Sequence, residues 1–137
     1  MSPIFEVKFD VFTKSIPNVD WANAVHLTIG NNVGNHGDRI PGVWLNKKSF
    51  WLVASSIDGN THYHKFWNVS IDTWTSFRIW QDKLPDGSYF FEYSMNDNSI
   101  YSIANNDPKS FKNVKVYASD PWHAAVDGKI RNLQICV

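Results

Sequence analysis

His62 and His64, together with a surplus of Trp and Tyr rings, are the residues of this chain whose types and spacing could do chemistry. On a strand, residues two apart point the same way, so this pair could supply two ligands to a zinc ion. No third ligand is identifiable beside them, and the pair reads first as polar surface around Tyr63. Asp38, Asp58, Asn60, Asp120 and Asp127 are loop oxygens of the kind that bind Ca2+. They read first as turn residues bonding their own backbone. Cleavage of a glycosidic bond needs two carboxyl groups flanking it. The chain has only Glu6 and Glu92, far apart in sequence and outside any Glu-x-Asp-x-Glu arrangement. There is no Gly-x-Ser-x-Gly elbow, and Cys136 lies at the end of the chain with no identifiable base. The expectation is a binding protein and not an enzyme.

The aromatic surplus is the stronger signal. Seven Trp, nine Phe and five Tyr make 15% of 137 residues. Trp44, Trp51, Tyr63, Trp67, Trp80, Tyr89 and Tyr93 fall beside alternations that already supply a core, so burying all of them would overfill a small domain. With His62 and His64 they form the candidate ligand-binding set. Three uses suit such rings. An exposed Trp or Tyr stacks on a sugar face while Asp, Asn and His trade hydrogen bonds around it. Alternatively an aromatic sheet face carries an apolar, elongated ligand such as a carotenoid, its polar ends fixed by His62, Tyr63 or His64. A structural or adhesion domain would turn the same patch toward a protein partner.

Strands must position these rings. Phe5, Val7, Phe9 and Val11 alternate with Glu6, Lys8 and Asp10; the same period recurs at Val25, Leu27 and Ile29, at Phe77 and Ile79, and at Leu133, Ile135 and Val137. No helical period is sustained. About ten strands are expected, over 4–12, 22–30, 40–46, 49–57, 61–69, 74–81, 88–95, 99–104, 111–119 and 128–136. Asp58-Gly59 and Asp86-Gly87 are hairpin signals. The expected core is Phe5, Val7, Phe9, Val25, Leu27, Ile29, Phe77, Ile79, Val114, Val116, Leu133 and Ile135. Asp120-Pro121-Trp122 reads as an architectural turn, and Asp38 with Arg39 as an ion pair supporting the loop from Asn31 to Gly37.

Lys plus Arg and Asp plus Glu are both 13, so no net field steers the chain to nucleic acid or an anionic bilayer, and little repulsion opposes a homo-oligomer. One cysteine excludes an intrachain disulfide. The opening Met1-Ser2-Pro3 lacks the features of a signal peptide, which suits an intracellular protein or a mature form, and no apolar run is long enough to span a membrane.

From Trp21 onward the order of motifs is suggestive: Gly37-Asp38-Arg39-Ile40-Pro41-Gly42-Val43-Trp44, the turn Ser56-Ile57-Asp58-Gly59-Asn60, Trp74, Gln81, the run from Phe111 to Trp122, and Gly128 to Leu133. It resembles the concanavalin A-like (laminin-G/pentraxin-like) jelly-roll domains of marine invertebrate extracellular proteins. The resemblance implies an all-β, antiparallel two-sheet jelly-roll sandwich over residues 1–137, secretion, and carbohydrate or protein recognition.

Overall fold

The computed structural model covers residues 1–137, with the side chains of residues 61–65 outside the described residues. Eleven strands follow one another: β1 (Phe5–Thr13), β2 (Trp21–Thr28), β3 (Gly42–Asn46), β4 (Phe50–Ile57), β5 (Asn60–Asn68), β6 (Thr73–Lys83), β7 (Tyr89–Met95), β8 (Asn98–Asn105), β9 (Lys115–Tyr117), β10 (Ala124–Ala125) and β11 (Gly128–Cys136). They form a jelly-roll sandwich of two sheets. One, sheet A, has the order β11-β1-β6-β7-β8; the other, sheet B, runs β10-β2-β3-β4-β5, with β9 also pairing β2. All pairings are antiparallel except that of β10 with β2.

The alternation in β1 works as the sequence suggests: Phe5, Val7, Phe9 and Val11 are buried, while Glu6, Lys8 and Asp10 point outward. Across the sandwich they meet Val25, Leu27, Val43, Leu45, Trp51 and Val53. Phe77 stacks on Phe9 at 5.0 Å and receives the edge of Trp51 at 5.2 Å. Two-residue turns close the β4–β5 and β7–β8 hairpins. Asp58-Gly59 takes positive φ at both residues, as expected; Asn96-Asp97 does the same between β7 and β8, a turn not anticipated from sequence.

Several expectations need correction. The strand expected over 111–119 shortens to Lys115–Tyr117, and a two-residue strand, β10, follows it. Ile29 and Val116 are exposed, because β2 ends at Thr28 and β9 is a short flank of sheet B. Val114, Leu133 and Ile135 are half-buried. β11 is an edge strand, with an irregular register against Lys8–Asp10 and Asn132 at φ 56°, so its inward residues are covered from fewer directions.

Two glycines admit close approaches. A Cβ on Gly128 would stand 1.7 Å from the Phe12 carbonyl oxygen, and one on Gly42 would stand 2.2 Å from the Trp44 ring. The Trp44 indole therefore lies flat over its own strand.

Candidate functional site

The outer faces of the two sheets differ in kind. On sheet A, Arg78 Nε donates to Glu6 at 2.5 Å, with Lys8 3.4 Å from the same carboxylate. Asp10 accepts from Ser76 (2.8 Å), Asn132 (2.9 Å) and Arg131 (3.1 Å). Lys8, Asp10, Ser76, Arg78 and Asn132 border a groove of about 430 Å³. Partial burial pushes the Glu6 carboxyl up, but its bonds and charge attraction to Arg78 and Lys8 outweigh this and hold it below the usual range. The Asn132 hydrogen bond leads in holding Asp10 down, helped by Ser76 and Arg131. The two arginines lie on tryptophans, Arg78 3.9 Å over Trp80 and Arg131 3.8 Å over Trp74. The register also brings the two glutamates into one cross-strand row, Glu6 opposite Trp80 and Trp80 opposite Glu92. Two strand spacings, about 10 Å, separate them.

On sheet B, His26, Trp44, Leu52 and Ala54 face away from the core, and a second apolar cluster forms from Trp44, Leu52 and Ala54 with Trp21 packed on it. Trp21 meets Phe50 at 6.0 Å and Phe50 meets Phe66 at 4.7 Å, the last 47% exposed. β9 and β10 lie along the edge of β2 opposite β3, and the turn joining them folds over this face.

Asp120 organises that turn. Its side chain is fully buried; its carboxylate accepts from His26 Nδ1 (2.7 Å), from the Trp122 and His123 backbone N–H groups (3.0 and 2.9 Å), and from His123 Nδ1 (2.8 Å). Its own N–H donates to Asn23 Oδ1 at 2.8 Å. Burial pushes the Asp120 carboxyl up, but the hydrogen bonds and charges of His26 and His123 prevail and hold it below the usual range. The other His26 nitrogen, Nε2, lies 2.6 Å from the Asp38 carbonyl oxygen, which can only accept. With Asp120 ionised, His26 donates from both ring nitrogens, the protonation of an imidazolium. At His123 Nδ1 the carboxylate competes with the Trp44 indole N–H, 3.3 Å away; the shorter carboxylate contact assigns the hydrogen to His123.

Over this network sit three groups that reach solvent. Trp122, 42% exposed, packs edge-on against His26 (5.7 Å) and Tyr117 (5.9 Å). His123 is half-buried beside Trp44. The Arg39 guanidinium stands 5.2 Å over Trp44, its Nε donating to Asn32 Oδ1 at 2.9 Å. Burial lowers the Arg39 pKa, and the negative charges of Asp38 and Asp120 oppose that effect. The ion pair expected between Asp38 and Arg39 is absent among the described residues. Asp38 supports its loop by accepting from the Val33 and Asn35 N–H groups, both at 2.9 Å.

Of the candidate rings, Trp44 lies at the centre of this cluster but only 3% exposed. Trp51 and Tyr93 are core residues with no surface to offer a ligand, because their alternation faces the opposite sheet. Trp67 is 48% exposed on edge strand β5; Trp80 and Tyr89 are half-buried on sheet A, Tyr89 with the Lys83 ammonium 5.9 Å away. His62, Tyr63 and His64 lie outside the described residues. Asp58 accepts from the Asn106 N–H and Asp127 from the Ser15 hydroxyl, as Asp38 and Asp120 do from their own partners. Among the described residues no three His, Cys, Asp or Glu side chains converge as a metal site. Sequence reading did not assemble His26, Arg39, Asp120, Trp122 and His123. The available signal was a histidine on the polar alternation of an otherwise apolar strand, which if buried must find acceptors.

No protein-family model and no curated protein sequence matches the chain. Its fold is similar to that of several solved structures. A botulinum neurotoxin type G receptor-binding domain aligns with TM-score 0.65 and 16% identity over 97% of this chain, which spans 34% of that one. The CBM40 of a Ruminococcus gnavus IT-sialidase, bound to α2,3-sialyllactose, aligns with TM-score 0.62 and 12% identity over 98% of this chain and 76% of the other. Sheep galectin-11 in complex with glycerol gives 0.52 and 13% over 99% and 92%. At these identities the likeness is one of fold.

Proposed function

We propose that the chain is a non-enzymatic carbohydrate-binding module whose site is the outer face of sheet B beside the Asp120 turn. The observation that carries this is Trp122: a large, half-open indole anchored beside the buried Asp120–His26 pair, with the Arg39 guanidinium and the His123 ring grouped around the adjoining Trp44. Rigid aromatic platforms flanked by placed polar groups suit a sugar ring, which is apolar on its face and polar at its rim. Similarity of fold to a sialyllactose-bound CBM40 and to a galectin is consistent with that use. Hydrolysis is disfavoured, because Arg78 and Lys8 lower the pKa of Glu6, opposite to the raised pKa that the acid of a glycosidase needs.

The test is a glycan array with the wild-type chain and Trp122→Ala. Sugar binding that weakens about tenfold or more in the variant is expected, with thermal stability little changed, since exposed aromatic anchors dominate binding energies. Equal binding by both proteins would remove Trp122 from the site. A second reading, a carrier of an apolar elongated ligand, is favoured by the strip Trp21–Phe50–Phe66 that continues the same face. It predicts a visible absorption band from protein purified from its source, and a colourless preparation would count against a conjugated cargo.

A further inference from the structure

The carbohydrate reading leaves open which sugars are taken, and Arg39 bears on that choice. A guanidinium carries five N–H donors. Here the one on Nε is used by Asn32, and no described residue accepts from the four on the Nη atoms. The two nearest acids are already engaged. Asp38 binds the Val33 and Asn35 N–H groups, and Asp120 is filled by His26, His123 and two backbone donors. A half-buried cation with an unused fork is costly unless something supplies oxygens to it. Trp44 holds the group from one side at 5.2 Å, so its plane is set before a ligand arrives. The other two arginines each have a carboxylate partner at Nε, Arg78 in Glu6 and Arg131 in Asp10, whereas the Nε partner of Arg39 is the neutral Asn32.

We infer that Arg39 makes this a site for acidic glycans, its free fork receiving the carboxylate or sulfate of a sugar that also contacts Trp122. Arginine suits that role because its planar donors match two oxygens of such an anion at once. Arg39 and Trp122 are linked through Trp44 and His26 by ring contacts each under 6 Å, within the span of a short oligosaccharide. The inference rests on the carbohydrate reading and narrows it.

The experiment prints neutral oligosaccharides beside their carboxylated and their sulfated counterparts, and compares wild type, Arg39→Lys and Arg39→Gln. Expected is a preference of at least about tenfold for acidic members, the acidic-to-neutral ratio falling to about one in Arg39→Gln and to an intermediate value in Arg39→Lys, whatever either change does to the affinity for neutral members. The carboxylated and sulfated series separate the two anions. For the wild type alone, raising NaCl from about 0.05 to about 0.5 M should erode the preference, a readout that needs no variant to fold. Equal binding of neutral and acidic members, or a preference that survives in Arg39→Gln or in high salt, overturns the inference while leaving the carbohydrate reading intact. Binding to no glycan overturns both.

Discussion

Removing the Asp120 carboxylate is the most demanding perturbation of this structure. In Asp120→Ala the His26 imidazolium, fully buried, loses its counter-charge, and the Trp122 and His123 N–H groups lose their acceptor. Breaking a buried pair by deleting one partner costs about 3–5 kcal/mol, because the remaining charge is stranded. With a urea dependence of about 2 kcal/mol per M, the unfolding midpoint should fall by about 2 M. Asp120→Asn keeps an oxygen for the two N–H groups but not the charge, and should lose less. The linkage to pH has a definite sign. The folded Asp120 carboxyl is held below its ordinary value of 3.8, so its stabilisation is fully present above that pH and disappears as pH falls through the folded value. Glu6 and Asp10 act in the same direction. Urea titrations between about pH 2 and 7 should therefore show a steeper acid loss for wild type than for Asp120→Asn. A loss below about 1 kcal/mol in Asp120→Ala, or identical acid slopes in the two proteins, would refute the reasoning.

Other outcomes follow from the packing. Phe77→Ala removes a ring stacked on Phe9 and met edge-on by Trp51, and should cost about 3–5 kcal/mol by urea unfolding; under about 1 kcal/mol would place Phe77 outside the core. Gly42→Ala would set a methyl group 2.2 Å from the Trp44 ring, so near-UV circular dichroism should change and stability fall by about 1–3 kcal/mol; an unchanged spectrum would contradict the seating of that indole. No hydrolysis of a β-glucan is expected, and turnover abolished by Glu92→Gln would show that the row Glu6–Trp80–Glu92 is an active site.

Sequence period was a good guide wherever a strand has one face in the core and neighbours on both sides. β1 and β6 are the clearest cases, each flanked by two partners and strictly alternating. It was a poorer guide at the margins. The period of β11 matches that of β1, yet its inward residues are only half covered, since burial of an edge depends on what closes the sandwich there. Aromatic residues on both alternations signalled a second apolar surface, and Trp44, Phe50 and Phe66 do lie on one. The same signal misplaced Trp51 and Tyr93, because residues on opposite alternations look alike until the sheet is oriented. The Asp120 network spans 94 residues between its buried partners, and no local pattern encodes a contact of that range.

Tryptophan beside arginine occurs on both sheets, and the difference between the pairs locates the site more firmly than the rings alone. On sheet A each guanidinium that covers an indole also bonds a carboxylate: Arg78 with Glu6, Arg131 with Asp10. Charge and ring there satisfy each other, and a ligand would have to break an ion pair to reach either. On sheet B the acids have been drawn inward, Asp120 to His26 and Asp38 to its own loop, so Arg39 stands over Trp44 with no carboxylate partner among the described residues. The buried histidine makes that arrangement possible. Were His26 uncharged, Asp120 would lack its cation, and Arg39 would be the nearest replacement. His26→Gln should therefore weaken acidic-glycan binding without touching a ligand atom, by releasing Asp120 to compete for Arg39. Calorimetry with an acidic oligosaccharide would detect the loss, and its recovery in His26→Gln/Asp120→Asn would separate this competition from simple misfolding. Failure of the double variant to recover binding, in a chain whose circular dichroism is native, would sink the idea that the His26–Asp120 pair keeps Arg39 free.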